Sequence, residues 1–234
     1  MNQPAHLTAY QSCRLRSKSL LRDNKWVIGA EVIFALLVIV AYLADFLPFS
    51  ETPYLFVMGW ISLRLRGVGW PSVGFKRPAI WRRTILLGIA IGVAYQFFTG
   101  YVTEPLVTLL TKKETDLSQF APMKGNVFLL LVFFGLVWTV AAFGEELNYR
   151  GYLMNRVAEL AGGGRWAWVV SLILVSVLFG IGHLYQGIAG IVVNILAGLL
   201  YGTLYLWSGR NLWLSIIVHG VYDTVGLLLI FSGK

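Results

Sequence analysis

Long apolar runs alternate with short polar connections along this chain. The runs occupy 26–47, 53–63, 84–110, 126–144, 166–184, 188–207 and 212–231. Apolar residues follow one another within each run. They do not alternate with polar ones, so the pattern predicts helices and excludes a membrane β-barrel. All but 53–63 reach about 18 residues, enough for a helix to cross roughly 30 Å of hydrocarbon. The expected fold is all-α, a polytopic helical membrane protein with about seven to eight transmembrane helices.

Composition supports the same solvent. Hydrophobic residues make up 57% of the 234 positions before the 25 glycines are counted, and only 13% are charged. Mean hydropathy is +0.70. A soluble globule of this size has no interior large enough for that much apolar surface, which excludes a soluble enzyme, a disordered chain and a coiled coil.

Charge then decides the short run. The net charge is +8, from 19 Lys and Arg against 11 Asp and Glu. In a membrane chain this excess marks cytoplasmic loops rather than nucleic-acid binding, and no nucleic-acid partner is expected. With all seven runs crossing and the N-terminus inside, 15 basic residues lie inside and 4 outside. If 53–63 does not cross, the division is 9 against 10. The positive-inside bias therefore favours a crossing, with the short helix tilted into its flanks or thinning the bilayer.

The first run follows Arg14, Arg16, Lys18, Arg22 and Lys25, as a signal peptide would, but it is too long for one and reads as a retained anchor. Cys13, the single cysteine, excludes an internal disulfide and reads as a free thiol. Trp26, Trp81, Trp166, Trp168, Trp207 and Trp213 stand at span ends, where an aromatic belt belongs. Gly88/Gly92 and Gly198/Gly202 are small-residue pairs at helix-packing spacing. With no long linker or repeat, residues 1–234 are expected to form one domain. It has a basic cytoplasmic arm at 1–25 and a chemically active helical core at 126–231. The expected location is the plasma membrane of a prokaryotic cell.

Polar residues inside spans carry the functional signal, because a charge at mid-bilayer costs roughly 2.5–3.5 kcal/mol on insertion scales. The fourth run closes on Glu145-Glu146-Leu147-Asn148-Tyr149-Arg150. On a helix Glu146 and Arg150 stand four apart in the favourable order, and Glu145 is turned about 100° away. One glutamate held by arginine beside one left free suggests a supporting acid next to a reactive one. His183 comes late in the fifth run, one turn after Phe179. His219 and Asp223 share a face deep in the last run. Glu145, His183, His219 and Asp223 together are groups suited to activating water, and they are also metal-ligand types. No serine or cysteine in the spans has an obvious base beside it, which argues against a covalent nucleophile.

Glu-Glu-x-x-x-Arg (145–150), Phe-x-x-x-His (179–183) and His-x-x-x-Asp (219–223) occur in that order, each on or beside its own apolar run. This arrangement resembles the CPBP family of intramembrane proteases, which includes the CAAX-prenyl endopeptidases and bacteriocin-processing, Abi-type proteins. The stretch from Trp60 to Trp81 also resembles that family's lead-in. The last position is Asn in many members and Asp here.

The resemblance implies an intramembrane endopeptidase acting on a membrane-associated or lipidated peptide. Glu145 would be the general base, assisted by His183. His219 and Asp223 would polarise the scissile carbonyl, and Glu146, Arg150 and Phe179 would support the site. A divalent metal such as zinc, if used, would take His183 and His219 first, with Asp223 or Glu146 completing the set; a metal-free glutamate mechanism is the alternative. Two other readings remain open: a non-catalytic bacteriocin-immunity-type binding protein, and a proton-coupled transporter relaying through Glu31, Asp45, Glu104, His219 and Asp223.

One expectation conflicts with straight spans. Runs four and five cross in opposite directions, which would put Glu145 near the inner face and His183 near the outer. A shared site requires helix four to continue toward Arg156, or a bend at Gly180, Gly182 and Gly187.

Overall fold

The computed structural model describes residues 24–233. The reading of Cys13 and of most of the basic arm falls outside them. The described residues form seven helical rods and no strand. These are α1 (Lys25–Leu43), α2 (Thr52–Leu65), α3 (Trp81–Thr111), α4 (Val127–Leu160), α5 (Arg165–Ile181), α6 (Gly187–Trp207) and α7 (Leu212–Ser232). Five helices are long and apolar enough to cross a membrane; α5 is apolar but shorter, and α2 has 14 residues. The protein is thus a polytopic all-α membrane protein.

Local chemistry sets several of the boundaries. Asn24, Asn126 and Asn211 begin α1, α4 and α7, each side chain accepting a first-turn backbone N–H. Pro53 occupies the first turn of α2, where a missing N–H costs nothing. Gly187, at φ +75° and ψ −176°, takes a backbone conformation open essentially only to glycine where the chain turns from α5 into α6.

Loop contacts fix the up–down order. At one end, Leu212 N–H donates to Gly74 O and the Asn211 amide to Lys76 O, joining the α2–α3 and α6–α7 connections. At the other, Gly125 N–H donates to Phe231 O and Asp116 N–H to Gln186 O. Successive helices therefore run in alternate directions. This is the order expected if 53–63 crosses.

Glycines let the helices close on one another. A Cβ at Gly92 would fall 2.8 Å from Val218 O, and one at Gly88 2.5 Å from Ile217 Cγ2, so α3 packs tightly along α7. A Cβ at Gly198 would fall 3.1 Å from Ser176, where α5 and α6 meet. Both glycine pairs are packing features, as their spacing predicts. The tryptophans divide. Trp26, Trp166 and Trp207 face outward, but Trp168 lies under Arg210 at 4.9 Å and Trp213 packs edge-on to Trp81 at 4.9 Å.

Helix α4 resolves the conflict over depth. It continues past Arg156 to Leu160, 34 residues in all. Glu145 therefore lies near its middle. Residues Val137–Leu153 within it form wide π-type turns, a departure often found at functional sites. Helix α5 folds back along the second half of α4 and ends at Ile181, so His183 arrives beside the middle of α4. The run expected to span 166–184 is therefore a shorter helix followed by a turn.

Candidate active site

A cavity of about 1300 Å³ opens among α2, α3, α4, α6 and α7. Glu145, His183, His219 and Asp223 all line it. The three motifs, carried by α4, the α5–α6 turn and α7, thus reach one space.

Glu146 turns the other way. It is fully buried, and its Oε1 accepts from Arg150 Nη1 at 2.9 Å and lies 3.1 Å from His219 Nδ1. Arg150 Nη2 donates to Gly198 O at 3.2 Å, and its guanidinium lies over Phe179 at 4.3 Å. The expected Glu146–Arg150 pair is present, and it also grips α6 and the imidazole of α7. Bringing such charges into the interior is costly unless each is paired.

His219 is bracketed. Its Nε2 lies 3.3 Å from Asp223 Oδ2, opposite the Glu146 contact. Tyr201 stacks on the ring at 4.6 Å with an interplanar angle of 19°. A ring that faces a carboxylate from each nitrogen satisfies both only by donating from both. His183 is held by Nδ1, 2.8 Å from Phe179 O. A carbonyl only accepts, so Nδ1 carries the proton and the neutral ring keeps its Nε2 lone pair free. Phe179 fills the space between the histidines, with ring centroids 4.8 Å from His183 and 6.0 Å from His219.

Glu145 makes none of these contacts. Its Oε2 is buried without a hydrogen-bond partner, although the side chain lines the cavity. An unsatisfied carboxylate oxygen facing a space large enough for water and peptide is a ready acceptor for a proton.

Sequence reasoning missed Tyr201, Glu51 and Tyr149. Glu51 precedes α2, is 5% exposed, and accepts from the Tyr149 hydroxyl at 2.6 Å. Burial raises the Glu51 carboxyl above its usual value, opposed by that hydrogen bond. Tyr149 stands one turn after Glu145, so this bond ties the start of α2 to the middle of α4. A Cβ at Gly144 would meet Thr52 Cγ2 at 2.7 Å, which shows how closely the two helices approach there. Glu51 had one signal in the sequence, an acid at the threshold of a short span. Tyr201 had another: it stands nearly as far before the α6–α7 turn as His219 stands after it.

The transporter residues do not form a chain. Glu31 is paired with Arg66 at 2.6 Å and also accepts from Ser62. Asp45 sits in a turn at φ +58°, and neither lines the cavity. Glu104 does line it, and accepts from Thr115 at 2.9 Å.

The donor geometry does not fit a metal ion. Among the described residues, no group of three or more His, Cys, Asp and Glu side chains is spaced to hold one. Both nitrogens of His219 already meet carboxylates. His219 faces Glu146 and Asp223 with its two nitrogens, and His183, the other expected ligand, meets Phe179 O through Nδ1, so different groups hold the two rings.

Residues 127–225 match a family described as Type II CAAX prenyl endopeptidase Rce1-like. This segment holds all three motifs and the whole Glu145–Glu146–His183–His219–Asp223 constellation. Over it, the resemblance to the CPBP intramembrane proteases holds. No curated protein and no solved structure matches the chain.

Proposed function

We propose that this protein is an intramembrane endopeptidase in which Glu145 activates water. One observation carries the reading: Glu145 has a carboxylate oxygen without a partner in the cavity where His183, His219 and Asp223 converge. Glu145 takes a proton from water, which His183 Nε2 helps to hold. The water oxygen bonds to the scissile carbonyl carbon. His219 Nε2–H turns from Asp223 toward the developing oxyanion while Glu146 keeps Nδ1, and Asp223 holds the ring until the substrate carbonyl replaces it. Glu145 then returns its proton to the amide nitrogen as the C–N bond breaks. Glu146 and Arg150 hold His219 in place, and Phe179 spaces the two histidines. No metal takes part in these steps.

The substrate in this reading is a membrane-associated or lipidated peptide, and the whole chain acts as one domain in a prokaryotic plasma membrane, with its N-terminus in the cytoplasm. The test is cleavage of a membrane-peptide and prenyl-peptide library by purified protein in detergent. Wild type is run beside Glu145→Ala and His219→Ala, each with and without a strong chelator. Loss of cleavage in both folded variants, with no effect of chelator on wild type, supports the proposal. Cleavage that survives Glu145→Ala overturns it and favours a binding role.

A further inference from the structure

The cavity draws on only one end of the bundle. Its lining begins at Gln96 on α3 and ends at Glu145 on α4. It takes α7 only from His219 onward and α2 only as far as Val57. Glu114, Thr115, Leu117 and Phe120 of the α3–α4 connection also line it, whereas nothing from 64–83, 156–165 or 208–211 does. The chamber therefore lies toward the end where the α1–α2 and α3–α4 connections sit, and away from the end formed by the α2–α3, α4–α5 and α6–α7 connections.

These two ends differ in charge. Apart from the buried Arg150, ten described Lys and Arg residues lie toward the second end. Three, Lys112, Lys113 and Lys124, lie toward the chamber end. Short loops rich in Lys and Arg stay in the cytoplasm. The alternating helix directions, fixed by hydrogen bonds between loops at both ends, leave no way to place part of the basic set on the other side.

We infer that the chamber faces the extracytoplasmic side, and that the substrate is a membrane-associated peptide presented from that face rather than a cytoplasmic lipidated protein. The inference rests on the protease reading for the word substrate, but the sidedness does not depend on it. His219 is the eighth residue of α7, with 13 more before its far end. At 1.5 Å per residue, a peptide entering along α7 descends about 20 Å to reach it. An extended or locally unwound membrane segment can do this; a folded domain cannot.

The test separates sidedness from catalysis. A Cys13→Ala background removes the single native thiol. Ser118→Cys then reports on the exposed chamber-side connection, and Ala79→Cys on the exposed basic connection. Intact bacterial cells expressing each variant are treated with a membrane-impermeant maleimide. Ser118→Cys is expected to label in intact cells, and Ala79→Cys only after permeabilisation. The reverse pattern overturns the inference whether or not the protein cleaves anything, as does labelling of Ala79→Cys in intact cells. Any peptide cleaved in the detergent assay is then added outside right-side-out and inside-out vesicles. Cleavage is expected in the first, is abolished by Glu145→Ala, and would contradict the inference if confined to the second.

Discussion

Glu146 and His219, 73 residues apart in sequence, meet at 3.1 Å in the interior, where the same Glu146 oxygen also binds Arg150. Glu145 takes no part in this junction. The two adjacent glutamates therefore have separable effects. Glu146→Ala leaves Arg150 buried without its anion, and removing one partner of a buried pair costs about 3–5 kcal/mol. Glu145→Ala removes a buried oxygen that has no partner, so it is expected to be neutral or slightly stabilising. Thermal unfolding in one detergent should show a large drop in midpoint for Glu146→Ala and little change for Glu145→Ala. Equal drops would contradict the division of roles.

Glu51 and Tyr149 join the start of α2 to the middle of α4 through one hydrogen bond. Tyr149→Phe leaves a buried carboxylate without its donor and should cost about 1–3 kcal/mol. The pH dependence has a definite sign. The folded value of Glu51 is raised above 4.5, chiefly by burial. Its contribution to stability is thus fully present below that value and is lost as pH rises through the folded value. Glu51→Gln does not titrate, so wild type should lose stability relative to this variant as pH increases. Unfolding midpoints for the pair from about pH 4 to 8 measure the difference. A constant difference across that range would show that Glu51 is not perturbed.

Much of this was legible in the sequence. The continuous runs placed all seven helices, because only helices satisfy the backbone in lipid. The four-residue spacing of Glu146 and Arg150 predicted their contact, and the alternating helix directions are those the charge bias favoured. Hydropathy could not find the end of α4. The stretch from Glu145 to Arg156 is rich in polar and charged groups and looks like a cytoplasmic helix end. In the fold those groups are buried, because Arg150, Asn148 and Asn155 find partners on α6, on α2 and within α4 itself. Satisfaction by distant partners leaves no local pattern. The stacking of Tyr201 on His219 and the reach of Glu51 to Tyr149 were hidden for the same reason. Spacing gives residue types but not the direction of each nitrogen, so the contacts of His183 with Phe179 O and of His219 with two carboxylates had no sequence signal.

Gly180 tests how His183 is positioned. A Cβ there would lie 2.5 Å from Ile191 O and 2.9 Å from Ile195 N, both backbone atoms, and would also press on the Ile195 side chain. Backbone cannot swing aside as a side-chain tip can, so Gly180→Ala must push α5 from α6. Overpacking of this kind typically costs about 1–3 kcal/mol. The turn carrying His183 begins two residues later, so cleavage should fall by more than the loss of folded protein explains. Cleavage rate per folded molecule, with folding monitored by size-exclusion and thermal unfolding, separates the two effects. Gly29 is a control, since a Cβ there meets nothing within 4 Å. If Gly180→Ala matches Gly29→Ala in rate per folded molecule, the hairpin does not set the position of His183.

The cavity wall also predicts a charge preference. Among the described residues Glu104, Glu114, Glu145 and Asp223 line it, and no Lys or Arg does. In a site walled partly by apolar side chains, an acidic substrate residue meets this set with little solvent screening, whereas a basic residue is drawn toward it. The effect should extend beyond the scissile bond, because Glu104 and Glu114 belong to α3 and its following connection, away from the cluster of Glu145, His183, His219 and Asp223. Two peptides that differ only by Lys or Glu at one position flanking the cleavage site should differ about tenfold in kcat/KM, equivalent to about 1.4 kcal/mol. Glu104→Gln should narrow that ratio without abolishing cleavage, and the ratio should shrink as ionic strength rises. If the two peptides are cleaved equally, or the Glu peptide faster, the wall charges do not select the substrate.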